Sequence, residues 1–148
     1  MNRSWLLLTL ALPLFLLSET QSGNNLKPNI TFDSLDVVST YYNPVSAQCD
    51  SEPLITADGS KINLKDLKKE KIRWVAVSRD LLKRNGGRFN YKDTLEIVSN
   101  HPHISGRWVV VDCLNKRYKK HLDFLDYDQV EDMPDSVTII IENLTKYN

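Results

Sequence analysis

Beyond residue 33 the chain is cut into short β-prone runs, and none of its helical stretches is long enough to build a helix-based core. Val37, Val38, Thr40, Tyr41 and Tyr42 stand in the first run, residues 35–42, which stops at Asn43-Pro44. The others are residues 72–77 (IRWVAV), 94–98 (TLEIV), 107–113 (RWVVVDC), 121–125 (HLDFL) and 137–141 (VTIII). β-Branched and aromatic residues dominate them, and turn residues separate them. Two stretches read as helical. Asn63 is placed to cap a turn through Leu64, Leu67 and Lys68, and Ser78 to cap residues 79–84 ahead of Gly86-Gly87. The pattern predicts an all-β domain closed into a small barrel, because closure leaves no strand edge unpaired. Periodicity alone does not choose the barrel type.

The first 22 residues stand apart from this pattern. Arg3 precedes a nearly unbroken apolar run over residues 5–17, and a small, polar segment follows. That is the layout of a secretory signal peptide, and the run is shorter than the ~20 residues of a membrane span. Residues 1–22 are therefore expected to be a signal peptide, 23–33 a flexible leader and 34–148 the barrel. Export to the periplasm, an outer-membrane-associated site or the extracellular medium follows, with no membrane span in the mature form. Cys49 and Cys113 would then lie in an oxidising compartment. A bond between them is worth roughly 4 kcal/mol in the chain-entropy model; two separate buried thiols are the other reading.

Charge narrows the partners. Lys+Arg and Asp+Glu each total 19, so the formal net charge is zero. A nucleic-acid binder would carry a basic excess, whereas a polysaccharide partner is compatible with neutrality. His101, His103 and His121 do not stand at ligand spacing from either cysteine, so neither a metal nor a cofactor is expected. The acidic residues between 126 and 135 read as a solvated turn. The sequons at Asn29 and Asn143 carry no functional weight.

The residues with chemical potential are two aspartates in apolar company. Asp112 follows Trp108-Val109-Val110-Val111, and Asp123 stands between Leu122 and Phe124. A carboxylate there is costly unless it has a partner or lines a wet cleft, and burial lifts its proton affinity towards that of a general acid. An aspartate at a strand end that accepts backbone N–H bonds is the structural alternative. The basic segment 115–120 between them could hold both carboxylates ionised or bind an acidic ligand.

Taken in order, TYY, TADGSKI, WVAVSRDLL, YKDTLEIV and GRWVVVDCLNKRYKKHLDFL resemble the three-aspartate domain and, more broadly, rare lipoprotein A-like proteins. The resemblance covers about residues 38–125. Its carriers are the Thr56-Ala57-Asp58-Gly59 turn after Thr40-Tyr41-Tyr42, the Val110 to Lys116 segment, and Leu122-Asp123-Phe124, with the two aspartates eleven residues apart. That spacing is also similar to membrane-bound lytic transglycosylase A. The resemblance implies a six-stranded double-psi β-barrel with one or two short helical insertions. It implies action on peptidoglycan glycan strands, cleaved by lytic transglycosylase-like chemistry; a monomer is the expected state. Carried over by position, Asp123 is the acid/base and Asp112 its charge and orientation partner, with the opposite assignment open. Asp58 is a third catalytic candidate; Tyr42, Thr56, Asn115 and Lys116 are candidates for holding substrate. Ser60 and Ser78 stand where related patterns have a glutamate and a histidine, and residues 113–117 replace a glycine-rich stretch. Those departures keep two alternatives in view: a non-catalytic peptidoglycan- or polysaccharide-binding barrel, and an inhibitor or partner protein of the cell envelope.

Overall fold

The computed structural model describes residues 29–45, 52–128 and 130–145. Six strands form one sheet: β1 (Asn29–Tyr42), β2 (Trp74–Val77), β3 (Thr94–Val98), β4 (Gly106–Cys113), β5 (His121–Leu125) and β6 (Ser136–Thr145). Among the described residues the one α-helix is α1 (Leu64–Lys68). The hydrogen-bonded order is β1-β5-β2-β4-β3-β6, and the antiparallel β6–β1 pairing closes it into a ring. The described chain is thus all-β with little helix. Among the described residues no helix is long and apolar enough to cross a membrane.

Two pairings in the ring are parallel, β1–β5 and β2–β4; the others are antiparallel. Exchanging β1 with β4, β2 with β5 and β3 with β6 leaves every pairing and its sense unchanged. The ring is therefore two interleaved three-strand halves related by a pseudo-twofold axis. The registers place that axis between Ala76 and Asp123, which face each other across β2 and β5.

Period-2 alternation builds the interior. Val37, Val75, Val77, Leu95, Ile97, Trp108, Val110, Leu122, Phe124, Val137 and Ile139 point inward into one cluster. Trp108 meets Phe124 edge-on at 4.6 Å between ring centroids, and its indole N–H donates to the Ile104 carbonyl at 2.7 Å. Truncating Phe124 to alanine would cost about 3–5 kcal/mol. The outer face of β2, β5 and β1 is covered in part by a second cluster, in which Ile62 and Leu67 pack on Ala76, Leu125 and Tyr42. Asn63 caps α1 as expected: its side chain accepts from the backbone N–H groups of Lys65 and Asp66.

Three local readings change. β1 begins at Asn29, so residues 29–33, expected as leader, are strand. Ile30, Thr31 and Phe32 are β-formers, and β6 runs on to Thr145 to pair with them, from Asn29↔Thr145 to Val38↔Ser136. The helix expected over 79–84 is instead two 3-10 turns, Arg79–Leu81 and Lys83–Asn85. Ser78 makes no side-chain cap there; its hydroxyl accepts the N–H of His121 at 3.0 Å. Gly86 (φ +89°) and Gly87 do end the segment. A Cβ on Gly87 would lie 2.2 Å from the Leu81 carbonyl carbon, so that position has room only for glycine. The acidic run is not wholly solvated either: Asp126 is half-buried, 2.6 Å from the His103 Nε2. The expected signal peptide and Cys49, with the pairing considered for it, lie outside the described residues.

Candidate active site

The pseudo-twofold axis sets out a row of four residues. Thr40, Asp123, Ala76 and Asp112 are in register across β1, β5, β2 and β4. All four face outward, because the residues beside Ala76 and Asp123 on their strands fill the ring. Thr40 and Asp112 are equivalent positions of the two halves. Alanine is the small member in the middle, so the row opens into a cleft of about 600 Å³.

Asp112 reaches the outer face through a β-bulge. Trp108 and Val110 point inward, and strict alternation would send Asp112 after them. Val75 pairs with Val110 but Ala76 pairs with Asp112, so Val111 is an extra residue and Asp112 is turned outward. The 56–59 turn locks the bulge. The Asp58 N–H donates to the Val111 carbonyl at 3.0 Å, and the Ala57 N–H to Asp112 Oδ1 at 3.1 Å. The Cys113 N–H donates to the same oxygen at 2.8 Å.

Asp123 has different company. The Thr40 hydroxyl donates to Asp123 Oδ1 at 2.6 Å, and the same hydroxyl lies 2.9 Å from His121 Nε2. Burial pushes the Asp123 carboxyl above the ordinary aspartate range; Thr40 and His121 pull it down, and the negative charge of Asp112 adds to the rise. Its neighbour His121 is buried, which holds the imidazole below its ordinary range against the pull of Asp123. Asp123 is thus a carboxyl of raised proton affinity, and Asp112 lies two strands away. At about 4.8 Å per strand their Cα atoms are roughly 10 Å apart.

The structure sorts the remaining candidates. Asp112, Asp123, Tyr42, Thr56 and Asn115 line the cleft; Asp58 and Lys116 are not among the lining side chains. Asp58 serves its turn: Oδ1 receives Thr56 Oγ1 at 2.7 Å and the Ser60 N–H at 2.8 Å, and Oδ2 pairs with Lys92 Nζ at 2.6 Å. Burial alone would raise its carboxyl, but the bonds from Lys92, Thr56 and Ser60 outweigh that and hold it below the ordinary range. Asp80, also lowered against its burial, accepts the Lys120 N–H at 3.1 Å and likewise stays off the cleft. Ser60 packs against Lys92. In place of Lys116 the cleft receives Arg117, which stacks 4.8 Å from the Tyr118 ring centroid, and Arg79, whose Nε donates to the Leu114 carbonyl at 3.3 Å.

Thr40 and His121, which contact one another beside Asp123, and Arg79, which lines the cleft, are positions that sequence reasoning did not single out for the site. Thr40 was visible only as the polar member of the TYY strand end. Its meeting with Asp123 depends on a parallel pairing between strands at opposite ends of the domain, which no local pattern reports.

Among the described residues no group of His, Cys, Asp and Glu is gathered as a metal site. No known family model matches the chain, and neither a curated protein nor a solved structure matches it.

Proposed function

We propose that the chain is an exported cell-envelope protein whose closed ring is a double-psi β-barrel, and that it cleaves peptidoglycan glycan strands by lytic transglycosylase-like chemistry. Two features support the barrel type: the crossed parallel pairings β1–β5 and β2–β4, and the exchange symmetry of the two halves. The observation that carries the reaction is Asp123, a half-buried carboxyl of raised proton affinity that opens on a cleft of about 600 Å³ with Asp112 across Ala76.

The chemistry needs one such group. Protonated Asp123 gives its proton to the glycosidic oxygen as the bond from the muramyl C1 breaks. The resulting carboxylate takes the proton of the muramyl 6-hydroxyl, whose oxygen bonds to C1 and closes the 1,6-anhydro ring. No water enters, so Asp112 has no nucleophile to activate. A negative charge on Asp112 would stabilise the positive charge that develops on the sugar ring, and it raises the proton affinity of Asp123. Tyr42 and Tyr118 give the cleft aromatic faces for sugar rings.

Incubation with purified sacculi and mass spectrometry of the soluble fraction tests the reading. Anhydromuropeptides with the wild type and none with Asp123→Asn are expected. Absence of product from the wild type, where a known transglycosylase works, would overturn it. Asp112 favours a second reading. Its Oδ1 is occupied by two backbone donors, which suits an aspartate that braces a strand end in a barrel that binds glycan without cutting it. Sacculus binding unchanged in an Asp112→Ala, Asp123→Ala double variant, with no product from the wild type, would select that reading.

A further inference from the structure

We propose that His121 is a positioning residue for Asp123, acting through the Thr40 hydroxyl: it fixes which way that hydroxyl points and thereby sets how firmly the Asp123 carboxyl holds its proton. The inference rests on the reading of Asp123 as the proton-exchanging group and deepens it.

A hydroxyl has a single proton to donate. Thr40 Oγ1 lies 2.6 Å from Asp123 Oδ1 and 2.9 Å from His121 Nε2. With Asp123 ionised, the hydroxyl proton points to Oδ1, so Nε2 must carry a hydrogen and donate to Oγ1. With Asp123 protonated on Oδ2, the proton stays available for the glycosidic oxygen, and Oδ1 still accepts the hydroxyl proton, but more weakly because it has lost its charge. The chain from His121 through Thr40 therefore favours the ionised carboxyl over the protonated one. The ring is held for this task. It is 7% exposed, so water competes poorly for Nε2. Tyr118 packs edge-on against it at 5.0 Å, and its backbone N–H is tied to the buried Ser78 hydroxyl. Nothing in the proposed cleavage requires His121 to touch substrate.

The other charged groups around Asp123 set the background. Asp112 faces it from β4 across Ala76, and Arg79, Arg117 and Glu52 stand on the same cleft. Their fields act on Asp123 through space, whether or not Thr40 is present. The proposed contact does not, and that difference is measurable.

The test is a carbon-13 NMR titration of the Asp123 carboxyl, assigned with Asp123→Asn, in protein whose amide spectrum confirms the fold. Thr40→Val should raise the midpoint by about one pH unit, the equivalent of one hydrogen bond to a charged group. His121→Phe keeps the packing on Tyr118 and should raise the midpoint in the same direction. His121→Gln, whose amide can donate from the Nε2 position, should restore most of it. In the Thr40→Val background His121→Phe should add less than about a third of its own effect, because the two act in series. Equal shifts in both backgrounds, or no shift with His121→Phe, would overturn the proposal. If His121→Phe does not fold, the Gln variant in the two backgrounds decides on the same criterion. Coupled titration in a protein that releases no anhydromuropeptide would remove the cleavage and leave the positioning role. Uncoupled titration in an active protein would do the reverse.

Discussion

Asp58 and Asp123 are both removed from bulk water, and each lies within hydrogen-bond reach of a threonine hydroxyl, at 2.7 and 2.6 Å. Their carboxyls nevertheless move in opposite directions, Asp58 down and Asp123 up. Asp123 is the more deeply buried of the two, and the remaining partners differ as well. Asp58 has the Lys92 ammonium and a backbone N–H; Asp123 has a mostly neutral imidazole acting through Thr40, and a second carboxylate in its field. The turn therefore holds a brace whose charge is favoured, and the cleft holds a carboxyl whose protonated form is favoured. Burial is common to both sites, so burial alone identifies neither role.

The largest effect that can break this comparison is on turnover. Asp123→Asn removes the exchangeable proton and should lower anhydromuropeptide release by about 10²–10⁴-fold, with the fold intact. Asp58→Asn should cost no more than about tenfold, because it acts only through the Ala57 N–H that orients Asp112. Equal losses, read from initial rates on sacculi, would erase the distinction between brace and acid.

The next effect is on stability and runs the other way. Asp58→Ala leaves Thr56, the Ser60 N–H and Lys92 without their shared acceptor and loosens the turn from the bulge at Val111. A loss of about 1–3 kcal/mol is expected, read as a lower urea midpoint with an unchanged slope. Asp123→Asn should be neutral or stabilising at pH 7.

How far the sequence reports these two sites follows from the same contrast. The six strands were legible, because each is a β-branched or aromatic run bounded by turn residues. Asp123 was legible as a lone acid between Leu122 and Phe124. The outward aim of Asp112 was not, since alternation from Trp108 and Val110 sends it into the core and only the bulge at Val111 reverses it. Asp58 stood in a recognisable turn, but its role depends on Lys92, a non-local partner. Thr40 and His121 come to Asp123 through the β1–β5 register, and the twofold relation of the halves leaves no matching residue pattern: Thr40 answers to Asp112, and Ala76 to Asp123.

The pH dependence of stability sharpens the comparison further, with a sign for each site. Asp58 has a folded proton affinity below its unfolded one. Its stabilisation is present above the unfolded aspartate range, near pH 3.9, and is lost as pH falls through the lower folded value. Asp123 has a folded affinity above the unfolded one. The native state holds the extra proton between the two values, so its contribution declines as pH rises through that window. Urea titrations from pH 3 to 8 should show Asp58→Asn least stable relative to wild type at neutral pH and converging on it in acid. Asp123→Asn should gain relative to wild type as pH rises. Curves of the same sign would mean that Lys92 and the imidazole do not make the difference argued for them.

The smallest effect concerns the basic segment that follows Asp112. Arg117 lines the cleft and stacks on Tyr118, whereas Lys116 is exposed and does not line it. The guanidinium covers a ring that itself packs on His121, so its removal both opens one wall of the cleft and exposes the edge of the positioning network. An exposed stacking contact of this kind is worth about 0.5–1 kcal/mol. Arg117→Ala should therefore weaken binding to sacculi by about two- to fivefold, and Lys116→Ala should leave it within experimental error. Equal weakening by both would mean that the segment attracts the glycan by charge alone, with no side chain placed in the cleft. Raising the salt concentration separates the cases, because an exposed charge is screened over about 8 Å at physiological ionic strength and a packed stack much less.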